Sequence, residues 1–187
     1  MHGLKQLVYD NRPFFSLSQN GKTNEDLYIL WKQNKNNDIF LLMYIQLWIK
    51  LEEIYMENVI NYYKEDFYEK KLFLELVEYQ KKFLKENVKV QLLTSYFYTT
   101  TEYLFQVSHE MEVCDIVNEG KDIIQELYKN NQEKFEVYIF YSCIIKGKRN
   151  RWIKRRKLYY QGIKNLFPSD SEIDKYFREI FLEEQGD

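Results

Sequence analysis

Alanine is missing from the sequence, and only six glycines, two prolines and two cysteines are present. So few turn-formers argue against an all-β chain, which needs many tight turns. Without alanine, helices that cross closely have to use Gly, Ser, Thr or Cys at the crossing. Cys114 and Cys143 form neither a metal-type cluster nor a secreted disulfide framework. They are expected as small core residues in a reducing cytoplasm.

Histidine is also scarce. His2 and His109 are the only two, and His109 lies in SHEMEVC, an H-E-x-E rather than the H-E-x-x-H that sets two imidazoles on one helix face for zinc. No Glu-x-x-His pair for a di-iron bundle, no Gly-rich phosphate loop and no G-x-S-x-G elbow occurs. Neither cysteine has a histidine motif to activate it. No metal, no cofactor and no enzymatic activity are expected.

Nor is there a signal-type or membrane-spanning segment. The N-terminus lacks a basic region followed by an apolar core. The longest apolar run, IFLLMYIQLWIKL at 39–51, is short of the roughly 20 residues a bilayer requires, and Gln46 and Lys50 interrupt it. It is expected as a buried helix at the centre of the fold. The net charge of −2 is too small to make the whole molecule a polyanion binder.

What the chain does have is aromatic and β-branched bulk, with 17 Tyr and 13 Phe, enough to build a sizeable core in one domain spanning 1–187. After an irregular segment at 1–22, apolar residues recur at spacings of three and four. Thr23 or Asn24 is expected to cap a first helix reaching a polar loop at 34–37. Asp38 is expected to cap a second that runs to about Tyr63 with a break. A third covers roughly 67–85 and stops at Asn87. The Thr- and Tyr-rich stretch 88–108 keeps a helical period too long for a strand. Helices at 110–129 and 135–145 follow, with Gly147 as a C-cap. Another carries Trp152, Tyr159, Ile163 and Leu166 up to Pro168, and a final one carries Ile173, Tyr176, Phe177, Ile180 and Phe181 on one face. The fold class is all-α: a helical-repeat (tetratricopeptide-like) array or a compact bundle of helix hairpins.

A repeat underlies the first of these alternatives. YFYTTTEY at 96–103 matches YIFYSCII at 138–145, and IVNEGKDIIQEL at 116–127 matches LYYQGIKNLF at 158–167 at the same offset. Thr100 then corresponds to Ser142 and Gly120 to Gly162, small residues where two helices can approach. A helix pair of about 40 residues is the size of a solenoid repeat.

Two groups of residues are candidates for binding. The segment KGKRNRWIKRRK contains Lys146, Lys148, Arg149, Arg151, Lys154, Arg155, Arg156 and Lys157 around Trp152, with no acid among them. Phosphates are attracted to such a cluster and an aromatic can stack a base. An acidic protein or a second copy of the chain would fit as well, and so would simple pairing with the acidic final helix. Nucleic acid is the least favoured of the three. The second group is a polar-edged aromatic groove of Asn61, Tyr62, Tyr63, Tyr96, Tyr98 and Tyr103, since tyrosine joins a rigid ring to a hydrogen-bonding tip.

The stretch NVKVQLLTSYFYTTTEYLFQVSHEMEVCDIVNEGKDIIQELYKNNQEKFEVYIFYSCIIKGK, followed by KLYYQGIKNLF and SEIDKYFREIF, resembles the C-terminal regulatory domain of the Rgg family of quorum-sensing regulators. The resemblance covers most of the chain and rests on the order of elements. It implies a tetratricopeptide-like fold, a homodimer, and a concave surface for a short peptide. The chain departs from the family in two ways: the stretch before Thr23 is too short for the helix-turn-helix domain, and no position can supply the alanines of the repeat. The expected function is a cytoplasmic, non-catalytic module that binds a peptide or protein and modulates a regulator. The alternative is a phage or mobile-element inhibitor that occludes a nucleic-acid-binding host enzyme.

Overall fold

The computed structural model describes residues 24–64, 68–105, 113–146 and 156–168, together with 174, 175 and 178. Among these there is no strand. The chain forms α1 (Asn24–Asn34), α2 (Asn37–Glu57), a short α3 (Val59–Lys64), α4 (Tyr68–Phe83), α5 (Val88–Thr100), a 3-10 turn at Glu102–Phe105, α6 (Val113–Asn130), α7 (Phe135–Ile144) and α8 (Arg156–Leu166). The all-α expectation holds. No helix among the described residues is long and apolar enough to cross a membrane.

Helix boundaries follow local chemistry, in places not the chemistry expected. The cap of α2 is Asn36 rather than Asp38: its side chain accepts from the backbone N–H groups of Asp38 and Ile39 at 2.7 and 3.1 Å. Asp38 instead sits in the first turn, where a negative charge suits the helix dipole. Asn87 does not stop α4 but starts α5, accepting from the Val90 N–H at 3.1 Å. The break before Tyr63 falls at Asn58, whose non-helical backbone separates α2 from α3. The stretch after Val88 is helical as expected, yet α5 ends at Thr100, and the chain tightens into the 3-10 turn where one long helix was expected.

Nearly every face of α2 is covered. Phe40, Met43, Tyr44, Ile45, Leu47, Trp48 and Leu51 have no exposed surface, which is what an all-round apolar helix requires. Aromatic contacts carry much of this core. Tyr44 stacks on Phe73 of α4 with ring centroids 5.3 Å apart, and Trp48 stacks on Phe97 of α5 at 4.3 Å. The Trp48 indole N–H donates to Thr101 Oγ1 at 2.8 Å, so the large ring is buried without an orphan donor.

The remaining helices pack in sequence order. α1 lies on α2, α2 on α4, α5 along α6 in the most extensive pairing, α6 on α7 and α7 on α8, while α5 also reaches α7. At Gly120 the backbone of α6 meets α5: a Cβ there would fall 2.7 Å from Tyr98 Cβ and 3.2 Å from the Ser95 carbonyl oxygen. At Gly162 of α8, a Cβ would run into the end of the Ile139 side chain of α7. The two glycines therefore do mark close approaches. Thr100 does not, because it is exposed; the small residue facing Gly120 is Ser95, whose hydroxyl donates to the Gly120 carbonyl at 2.8 Å. Cys114 was expected in the core and is instead exposed on the first turn of α6. The Cys143 side chain lies outside the described residues, as do Gly147 and segment 1–22.

Candidate functional site

One face of α5 is polar although it points inward. Gln91, Thr94, Ser95 and Tyr98 stand at i, i+3, i+4 and i+7, and all four are buried. Each needs a partner, because burying an unpaired polar group is costly. Ser95 uses Gly120. Gln91 turns towards α4 and meets Gln80, which sits on that helix's apolar stripe between Leu76 and Leu84 and is only 1% exposed.

The orientation of these two amides is fixed by one backbone carbonyl. Gln91 Nε2 donates to the Leu84 carbonyl oxygen at 3.0 Å, and a carbonyl can only accept, so this atom must be the nitrogen. The same Nε2 donates to Gln80 Oε1 at 2.8 Å. Gln80 Oε1 is thereby the oxygen, and Gln80 Nε2 is left facing away from the pair. That nitrogen is buried and has no partner at full hydrogen-bonding geometry, the Gln80 amide lying beside the Tyr98 phenol. Two amides in contact can form two reciprocal hydrogen bonds, and here only one forms.

This half-made pair borders a groove of about 510 Å³ that runs from the α4–α5 turn to the α6–α7 turn. One wall carries Gln80, Lys81, Lys85, Val88 and Gln91, and the other Glu119, Ile123, Glu126, Asn131 and Lys134. Lys81 Nζ bridges the walls to Glu119 Oε1 at 2.9 Å. At the far end, Asn131 donates through Nδ2 to the Leu127 carbonyl at 3.0 Å, closing the end of α6, and accepts at Oδ1 from Lys134 Nζ at 2.8 Å. With Glu86 included, three lysines face three glutamates, so the groove has no net charge. Behind it, burial pushes the Tyr98 phenol above its ordinary value, and the carboxylates of Glu119 and Glu78 push the same way. The nearby Gln80 amide acts weakly against them.

The residues expected to bind are distributed differently. Tyr62 and Tyr98 belong to the core. The Tyr62 hydroxyl donates to the Leu104 carbonyl at 2.8 Å, so its polar tip is already used inside the protein. Tyr63 and Tyr103 are half-buried beside Tyr55, where Tyr55 and Tyr103 stack at 4.1 Å and leave no gap for a ligand between the rings. Tyr96 is half-buried on α5, apart from that cluster, with its ring against Phe97. The Asn61 side chain lies outside the described residues. Of the basic cluster, Lys146 is described and exposed, its Nζ 5.1 Å from the Tyr141 ring centre. Lys148, Arg149, Arg151, Trp152, Lys154 and Arg155 lie outside the described residues, and so do the side chains of Arg156 and Lys157, whose backbone opens α8.

The groove was not foreseen from the sequence. Its signal was a glutamine in the middle of an apolar stripe, at the i+4 position from Leu76 and the i−4 position from Leu84. Among the described residues no group of acids, histidines and cysteines is arranged to hold a metal ion. No family model, curated protein or solved structure matches the chain.

Proposed function

We propose that this chain is a non-catalytic binding module that holds a short peptide or a segment of a protein in the groove between α4–α5 and α6–α7. The observation that carries the reading is the groove's chemistry. Amide donors and acceptors, a strip of apolar surface at Val88 and Ile123, and lysines balanced by glutamates suit a neutral, hydrogen-bonding polymer better than a polyanion. Of the helices that supply the walls, α5 packs along α6 and α6 on α7, so an occupant touching both walls would favour one arrangement of α4 to α7 over others. Such a shift is how a regulatory module of the kind implied by the quorum-sensing resemblance would pass on its signal. In this reading the protein acts in the cytoplasm, alone or as a homodimer.

The test uses the full chain and a displayed library of random 12-residue peptides. Selected peptides should bind the wild type with measurable heat. Ile123→Arg, which places a long cation across the groove, should abolish binding while leaving the circular dichroism unchanged. Arg149→Glu combined with Arg155→Glu should leave binding intact. The opposite pattern, with loss on changing the arginines and none on blocking the groove, would move the function to the basic cluster.

A further inference from the structure

Lys35 lies just past the end of α1 with a backbone φ of 48°, in the left-handed region where glycine is the usual residue. Its N–H donates to the Trp31 carbonyl at 2.7 Å and closes the helix. Glycine would close it without strain, so the side chain is what this position gains from being lysine. That side chain folds back over α1. Its Nζ stands 3.8 Å from the centre of the Trp31 indole and 5.0 Å from the centre of the Tyr79 ring of α4. The two rings meet at 86° with centroids 4.8 Å apart, so they form a corner, and the ammonium sits in it.

Two lysines reach this aromatic group, and they are held differently. Lys32 is ion-paired to Glu75, which also accepts from the Tyr28 hydroxyl at 2.6 Å. Lys35 is exposed and makes no ion pair among the described residues. Trp31 is only 1% exposed, yet the indole face beneath Nζ is covered by this solvent-exposed side chain. When Lys35 swings out, that face opens to solvent beside the half-buried Tyr79 ring. Burial works to raise the Glu75 carboxyl, but its hydrogen bonds to Lys32 and Tyr28 and the charges of Lys32 and Lys35 together hold it below its ordinary value. A carboxylate thus stays ionised within range of the Lys35 charge.

Perpendicular aromatic faces near a carboxylate attract a cation. A bare ammonium such as that of Lys35 is compact and strongly hydrated. Methylation removes N–H donors and weakens hydration, and the methyl groups fill the apolar corner, so a methylated ammonium competes well for it. We propose that the Trp31–Tyr79 corner is a binding site for a methylated ammonium group, and that Lys35 occupies it as a tethered competitor until such a ligand displaces it. None of Trp31, Lys35 and Tyr79 lines the groove, so the site is independent of the peptide-binding reading.

The test follows the assigned Trp31 indole N–H signal by NMR in the full chain, during titration with tetramethylammonium chloride at constant ionic strength. The wild type should show a weak, saturable shift. Lys35→Gly removes the competitor and suits the left-handed backbone, so the fold is kept and binding should tighten by about tenfold or more. Lys35→Arg keeps a cation on the rings and should bind no more tightly than the wild type. Tyr79→Leu, made together with Lys35→Gly, removes one wall and should return binding to the wild-type level or below. Ammonium chloride should give no saturable shift. Choline and a peptide carrying trimethyllysine, titrated in the same way, separate a free ligand from a modified protein, the tighter of the two marking the source. Lys35→Gly that binds tetramethylammonium no more tightly than the wild type, or that responds equally to ammonium chloride, would overturn the proposal. So would undiminished binding after loss of the Tyr79 ring.

Discussion

Gly120 of α6 lies directly against Tyr98 of α5, with no space between them for even a methyl group. In a chain without alanine, this contact is where the two most extensively paired helices among the described residues meet. Two of its three nearest neighbours, the Tyr98 Cβ and the Ser95 carbonyl oxygen, cannot rotate away. Gly120→Ala is therefore expected to lower stability by about 1–3 kcal/mol through overpacking. Gly162→Ala presses only on the flexible end of Ile139 and should cost less. Urea unfolding of both variants checks the ranking, and equal losses would show that the α5–α6 contact can yield.

Tyr62 ties α3 to the 3-10 turn through its buried hydroxyl and the Leu104 carbonyl. Tyr62→Phe keeps the ring and orphans the carbonyl. A loss of about 1–2 kcal/mol is expected, the cost of a buried acceptor without its donor. A chemical denaturation curve with an unchanged midpoint would mean that the carbonyl finds another partner.

Burial raises the phenols of Tyr44, Tyr62 and Tyr98 far above the ordinary value of 10.0, and burial together with Tyr55 takes Tyr63 up to about 12. A raised folded value means that the native state keeps protons the unfolded state gives up. The stabilisation is whole below pH 10 and declines as pH rises above it. Tyrosinate absorbance near 295 nm should therefore appear in two stages, exposed phenols first and the buried set only together with loss of helical circular dichroism. A single smooth titration with the helices intact would contradict the burial.

Cys114 is exposed on the first turn of α6. It should react with a thiol reagent in the folded protein, and Cys114→Ser should remove that fast-reacting thiol. No reaction before unfolding would return the residue to the core where the sequence suggested it.

Much of the architecture was legible because apolar residues three and four apart leave a clear trace, and the run at 39–51 announces a central helix by lacking any polar face. The offset that equates Gly120 with Gly162 also picked out two close approaches correctly. Capping was harder to read, since Asn36 and Asp38 are both good caps and only the backbone decides which side chain can reach an N–H. Cys114 misled because cysteine usually behaves as a small apolar residue. The groove escaped for a different reason. Gln80 and Gln91 are eleven residues apart on two helices, and nothing in their order along the chain says that one carbonyl will orient both.

Lys89, near the start of α5, donates to Asp174 Oδ1 at 2.6 Å, and that carboxylate is only 2% exposed. The two residues are 85 positions apart. On a ribosome adding about 5–20 residues per second, the lysine waits roughly 4–17 s for its partner to be made. The groove walls between Gln80 and Lys134 are all synthesised before Asp174 is reached. A nascent chain can thus complete the walls of the proposed site before the clasp at the head of α5 has closed.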